Sequence, residues 1–464
     1  MYKKEIQNYF IKKKENFLKD LSELVEIDSS RGEGSKDSPY GEGPAKALSK
    51  ALEISEKYGL YTKNMENYIG IASIKEDESR KLDILVHLDV VPAGEGWKKT
   101  EPFAMKEIDG KVYGRGVSDN KGPAVAAIYA LRAIKELNIP LKDNVRIVFG
   151  CDEECGGSDI DYYYSKESTA EMTFTPDAEY PVINIEKGIY YGTFEKKIIY
   201  PEESCICRII GGSKGNVVPD ISIAQFAGME KSILDKQLEK IKLPEGIFVE
   251  TSEDGNIVII TVRGKSAHAS TPEDGINSNT MLLKILSSIQ IEDEVIKYIK
   301  NLSKMFPHGE INGESAGIFF EDEESGKITV SFNVLEYKDG VMKATFDSRT
   351  PICATYEELH KIAESAEING FEYNDKFSPP HHVSSESEFV KTLINSYEKY
   401  SDKKGKAKAI GGGTYVHNIE NAVAFGCVME GEESNMHGAD ECAVIDTLLM
   451  SGMIFTDAIY QICK

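Results

Sequence analysis

Up to about Gly188, short apolar runs alternate with segments whose apolar residues recur at helical spacing. MYKKEIQNYFIKKKENFLKDLSELV places its apolar residues among charges at that spacing and predicts an amphipathic helix. Leu82 to Val91 (LDILVHLDVV) and Val145 to Phe149 predict buried strands, and Met172 to Phe174 a shorter one. Ala124 to Leu137 (AVAAIYALRAIKEL) predicts a helix, with Pro123 near its start, where a missing N–H is tolerated. Strands alternating with helices predict a largely parallel sheet covered by helices.

The texture changes between Lys187 and Pro380. Two hairpin signals appear, one with its turn at Asp254-Gly255 and one at Lys338-Asp339-Gly340. Each second strand runs into a helical pattern, after Asp274 and after Tyr356. This predicts a second domain of two architecturally similar α/β halves, whose sequences have little in common. After SPPHH the chain returns to a helix (Ser387 to Lys399), a glycine turn (Gly411-Gly412-Gly413), a short apolar segment AVAFG and a covering helix, Ile445 to Cys463. The order predicts an α/β protein of two domains. Residues 1–186 and 381–464 form one, on a mixed, mostly parallel sheet, and it is split by an inserted lid at 187–380.

Composition narrows the partners. A chain of 464 residues is too long for one ordinary core. A formal net charge of −23 argues against nucleic acid and anionic membrane surfaces as partners, and suits a protein that gathers cations. No apolar run is long enough to cross a bilayer, and the first residues lack the apolar core of a secretory leader. The expected compartment is therefore the cytoplasm, with the eight cysteines reduced. The CxxxC at Cys151 and the CxC at Cys205 have no matching second pair, so they read as structural thiols.

The chemistry gathers where strands end. His87 and Asp89 close the first strand, Asp119 (in GRGVSDNKGP) precedes the helix, and Asp177 (in TFTPDAEYP) follows the last short strand. Asp152, Glu153 and Glu154 (in FGCDEECGG) follow Val145–Phe149. In a parallel sheet the carboxyl ends of strands share one edge, where ligands bind. Crowded carboxylates there repel one another unless cations neutralise them, which points to one or two divalent metals. Adjacent glutamates on a turn can divide the work, one ligating and its neighbour acting as general base. Taken singly, each residue has a plainer reading: Asp119 as an N-cap, Asp152 as loop, His437 as a surface histidine, and Arg349 as the ion-pair partner of Asp347.

HLDVVPAG, GRGVSDNKGP, DEE, FTPDAEYP, GKSAHASTPEDGINS, FDSRTP, GGGTY and MHGADE occur in the order and spacing of the PepV-type dipeptidases. These are dinuclear zinc peptidases of the wider aminoacylase, carboxypeptidase and desuccinylase superfamily, and the resemblance runs from Glu42-Gly43-Pro44 to the C-terminal helix. It implies that His87 and Asp177 hold one metal, Glu154 and His437 the other, and that Asp119 bridges them through a cis peptide to Asn120. It implies further that Asp89 orients the His87 imidazole and that Glu153 is the general base for a metal-bridging water. From the lid, His268 would donate to the oxyanion, and Asn216 and Arg349 would bind the free carboxylate of a small peptide substrate. The metals implied are two divalent ions, zinc first, with manganese or cobalt also compatible with these ligands. Dimeric members of the superfamily have a smaller lid and borrow the oxyanion histidine from a partner, so the doubled lid implies a monomer. Relatives carry arginine two residues after the tyrosine of GGGTY, where this chain has His417. The rival readings are an N-acyl amino acid deacylase with the same metal chemistry and a non-catalytic metal- or peptide-binding scaffold; Glu153 speaks against the latter, since a scaffold needs ligands but no base.

Overall fold

The computed structural model describes residues 2–76, 80–199, 204–291 and 293–464. The chain divides into two compact units, one made of Met1–Ile185, His382–Lys408 and Gly413–Lys464, the other of Glu186–His381 and Ala409–Gly412.

In the first unit the strands lie in the order Tyr61–Met65, Ile69–Ser73, Asn144–Gly150, Arg80–His87, Met172–Thr175, Ala422–Ala424 and Val182–Glu186. Asn144–Gly150, Arg80–His87, Met172–Thr175 and Ala422–Ala424 run parallel to one another, and the strands flanking them are antiparallel. The two middle strands are buried along almost their whole length, as strands covered on both faces must be, which is why they read as continuous apolar runs. His87 pairs with Gly150, so these two strands finish level and deliver their ends to the same edge.

The first strand ends at His87, not at Val91 as its apolar run suggests. Beyond it the Leu88 N–H turns to the Gly150 carbonyl and the Val90 N–H to that of Ser29, which draws the chain across the sheet end. The helix after Asp119 spans Lys121–Glu136 and puts Pro123 within its first turn. It is buried all round from Lys121 to Ile134, since the helices Lys3–Val25 and Ile445–Cys463 pack against it. Gly452 lets two of these helices close together, because a Cβ there would sit 2.2 Å from the Phe10 ring.

The second unit has its own core and an eight-stranded antiparallel sheet. Its strand order is Phe248–Asp254, Ile257–Arg263, Ile221–Ala227, Ile206–Gly211, Thr329–Lys338, Val341–Thr350, Gly188–Lys197 and Glu372–Ser378. Both expected hairpins are present, Asp254 pairing with Ile257 and Lys338 with Val341. Asp339 and Gly340 both take positive φ, 52° and 77°, the conformation a tight hairpin turn demands. The halves are not simply consecutive in the chain. The strands Ile206–Gly211 to Ile257–Arg263 are inserted between Gly188–Lys197 and Thr329–Lys338, which lie in the other half of the sheet.

Candidate metal centre and catalytic site

His87, the last residue of its strand, is fully buried. Its Nδ1 lies 3.0 Å from the Asp89 backbone carbonyl and so donates, which leaves Nε2 facing Asp119 Oδ1 at 2.9 Å and Asp177 Oδ2 at 3.6 Å. His437 approaches from the other side, its Nε2 2.9 Å from Asp119 Oδ2 and 3.3 Å from Glu154 Oε1. Two triads result, His87–Asp119–Asp177 and Asp119–Glu154–His437, each with its potential ligand atoms within 4.8 Å of one another. Asp119 belongs to both and gives one oxygen to each histidine. The Asp119–Asn120 peptide is cis.

The surrounding chain holds these groups from the backbone outward. Asp89 acts through two parts: its carbonyl orients His87, while its carboxylate accepts the N–H groups of Glu153 at 3.2 Å and Glu154 at 3.1 Å. Orientation of His87 therefore comes mainly from the main chain, with the Asp89 carboxylate 3.5 Å from Nδ1. Asn120 donates through Nδ2 to Asp177 Oδ1 at 3.0 Å. Asp152 reads as an ordinary loop residue in the sequence. It is in fact buried, ion-paired to Arg31 and accepting the Ser158 hydroxyl at 2.6 Å, so it anchors the turn that carries Glu153 and Glu154.

The electrostatics are those of a cation site. Burial, with the Asp177 charge next, pushes Glu153 up to about 9. Burial also raises Asp177 and Glu154. Burial would raise Asp119 too, but hydrogen bonds from His437 and His87 outweigh it and hold this carboxyl well below the usual range. His437 is pushed up to about 10 by its hydrogen bonds to Asp119 and Glu154. Burial opposes the charged form of His87, yet Asp177 and then Asp119 raise it well above its ordinary value. Glu154 Oε1 is buried, and His437 Nε2 lies 3.3 Å from it. One imidazole nitrogen and carboxylate oxygens in each triad, with a carboxylate shared between them, fit two divalent cations.

A cavity of about 500 Å³ opens beside Glu153, with Ile160, Tyr164, Tyr415, His417 and Ile419 among its walls. Tyr415, of the GGGTY motif, donates to Asp159 Oδ2 at 2.6 Å, and Asp159 also accepts the Asp152 N–H at 2.9 Å. The tyrosine thus supports the glutamate turn from below. Other residues around the centre escaped the sequence reading. Lys121 is fully buried, donates to the Ile27 carbonyl at 2.7 Å and is pushed down to about 7 by burial. Arg115 and Glu441 form a buried ion pair of 2.7 Å. Their signal, charged residues inside the motifs GRGVSD and MHGADE, was visible, but their partners were not.

In the second unit, Asn216 and His268 are neighbours: Val217 pairs with His268, and the Ala269 N–H donates to the Asn216 carbonyl at 2.9 Å. The Ser270 N–H donates to His268 Nδ1 at 3.2 Å, so the neutral ring carries its proton on Nε2. Arg349 is buried and paired bidentately with Asp347, at 3.0 and 3.1 Å. A Cβ at Gly411 would lie 2.9 Å from Ser270 Cβ and 3.4 Å from Arg349 Cγ, so the His268 turn and Arg349 adjoin the glycine turn.

A two-unit α/β chain with a carboxylate-bridged pair of histidine triads defines a class of hydrolase, and the sequence agrees: residues 84–461 match the peptidase family M20/M25/M40, to which this chain belongs. The Beta-Ala-Xaa dipeptidase of Lactobacillus delbrueckii subsp. lactis is 34% identical, the match covering 97% of this chain and 97% of that protein. The fold is shared with human carnosine dipeptidase 1, at a TM-score of 0.59 and 14% identity over 100% of this chain and 99% of that one. It is shared also with the aminoacylhistidine dipeptidase of Vibrio alginolyticus, at 0.59 and 13% over 96% of each.

Proposed function

We propose that this protein is a metal-dependent dipeptidase that hydrolyses the peptide bond of short substrates with a free amino and a free carboxyl end. The carrying observation is the pair of triads that share Asp119, with Glu153 on the turn beside them. His87 and Asp177 would hold one cation, Glu154 and His437 the other, and Asp119 both. Bound divalent ions supply Lewis acidity toward the scissile carbonyl and lower the pKa of water.

The chain's own groups do the rest. Glu153 takes a proton from the attacking water and returns it to the leaving amine, a contribution of about 10²–10⁴-fold. Asp89 holds Glu153 and Glu154 by their N–H groups, so base and ligand are set by one carboxylate. His268, with its proton on Nε2, is the donor assigned to the oxyanion, and Asn216 and Arg349 are assigned to the substrate carboxylate. Zinc is the proposed metal, a monomer the proposed assembly and the cytoplasm the proposed compartment. The ligand set and the eight-stranded sheet of the second unit support the first two assignments.

The test is hydrolysis of a dipeptide panel by chelator-stripped protein given Zn²⁺, Mn²⁺ or Co²⁺, with N-acetyl amino acids and a tripeptide alongside. Metal-restored cleavage of the free dipeptides is expected. Cleavage of only the acetylated compounds would make the protein a deacylase. Glu153→Ala is expected to lose about 10²–10⁴-fold in turnover while both metals stay bound; metal lost from that variant would make Glu153 a ligand.

A further inference from the structure

Glu441 is a fully buried carboxylate beside the centre that none of the roles above uses. Oε2 accepts from Arg115 Nη1 at 2.7 Å and from the Gly116 N–H at 3.0 Å. Oε1 accepts the N–H groups of Gly116 at 3.1 Å, Ser118 at 3.0 Å and Asp119 at 3.2 Å. Both oxygens are filled by donors, so Glu441 has none to turn toward a cation. What it grips instead is the main chain that ends in Asp119, the residue common to both triads. Successive N–H groups converging on one anion form a nest, which fixes the loop's path as well as its charge.

The same residue is tied to the other ligand loop. Glu441 lies a short distance along the chain from His437, and its carbonyl accepts the Gly114 N–H at 3.0 Å. Arg115 extends the grip, since its Nη2 reaches the carbonyls of Ala93 at 3.2 Å, Pro92 at 3.4 Å and His437 at 3.5 Å. Its guanidinium lies 5.4 Å from the centre of the Trp97 ring. Three segments thus meet on one ion pair: the chain leaving His87 and Asp89, the loop of Asp119, and the loop of His437.

We infer that Glu441 and Arg115 are positioning residues for the dinuclear centre, setting the distance between the shared Asp119 and the loop ligand His437. The inference rests on the reading of the two triads as cation sites. Groups that orient metal ligands without touching the metal typically contribute about 10–100-fold to affinity. Glu441→Gln is the sharpest probe, because it keeps the volume but turns an amide NH₂ toward N–H groups that need an acceptor.

The experiment is cation affinity of the full-length, metal-stripped protein, by chelator competition with Zn²⁺ and with Mn²⁺, beside the melting temperature of the metal-free form. Glu441→Gln is expected to fold, to bind cation about 10–100-fold more weakly, and to lose kcat with little change in KM for a dipeptide. A purely structural role would lower the melting temperature and leave affinity alone. Arg115→Lys keeps the charge but cannot span the carbonyls, and is expected to weaken binding in the same direction. Affinity within about twofold of wild type in folded Glu441→Gln overturns the inference. If that variant does not fold, wild-type affinity in Arg115→Lys overturns it. A wild-type protein that binds neither cation would sink the metal-dependent reading itself, and this inference with it.

Discussion

The two triads are built to different standards. The His87 side chain is 1% exposed, stands at the end of a strand paired on both sides, and is oriented by a carbonyl two residues on. The His437 side chain is 55% exposed and sits in a loop with φ at 62°, a left-handed conformation uncommon for residues other than glycine. One half inherits its position from the sheet, whose ladder cannot shift by small steps. The other is held by contacts that loops from distant parts of the chain make with each other, chiefly through Asp119 and Glu441. Segments of the second kind open at lower free energy than a central strand does. A dinuclear centre can therefore pair a rigid half with an adaptable one, the shared carboxylate linking them.

The largest expected effect comes from the link. Asp119→Asn removes charge from both halves and is expected to reduce turnover by about 10⁴-fold or more, as removing a member of a catalytic unit does. Metal analysis of the purified variant should show loss of both cations. Loss of only one would break the idea that the halves depend on each other.

Next comes the contrast between the histidines in metal-free protein. His87→Ala strands two buried carboxylates and is expected to cost about 2–4 kcal/mol in denaturant unfolding under chelator. His437→Ala removes a half-exposed partner from two buried carboxylates that water can then reach, and is expected to cost less, about 1–2 kcal/mol. Equal costs would erase the distinction between a sheet-held and a loop-held half.

The smallest effect is on the pH dependence of metal-free stability. His437 carries a folded pKa raised to about 10, so its ion pairs contribute fully below about pH 6.5 and are lost as pH rises toward 10. Glu153, pushed up to about 9, acts in the same direction, because the unfolded chain releases its proton earlier. Melting temperature under chelator should fall across this window, and His437→Ala should make the fall shallower. A slope unchanged by the substitution would mean that His437 is not paired in the metal-free protein.

Much of the centre was legible as a set of strand-end and motif residues, though not residue by residue. His87, Asp119, the glutamate turn, Asp177 and His437 stand at strand ends or in motifs whose residue types already suggest metal chemistry, and the structure brings them together. The plainer reading of Arg349 also holds, since its Nε and Nη2 donate to Asp347. Asp152, read as loop, is a buried anchor, because a carboxylate's burial depends on whether Arg31 arrives from elsewhere. Glu441 and Tyr415 were inside quoted motifs, yet their partners Arg115 and Asp159 are far away in the chain and no local pattern links them.

The amino-acid order by itself determined the element types, since the period of apolar positions is a local property that burial on one or both faces imposes directly. It determined the hairpin turns in the same way, because only certain residues tolerate positive φ. The covering helix Ile445–Cys463 has the limits its sequence predicts, because its apolar residues recur from one end to the other. Only the tertiary structure decided where the first strand stops, which oxygen of Asp119 meets which histidine, and that one buried carboxylate ties three site segments together. Those are matters of hydrogen-bond partners contributed by remote segments, and a partner's arrival depends on how the whole chain closes on its core.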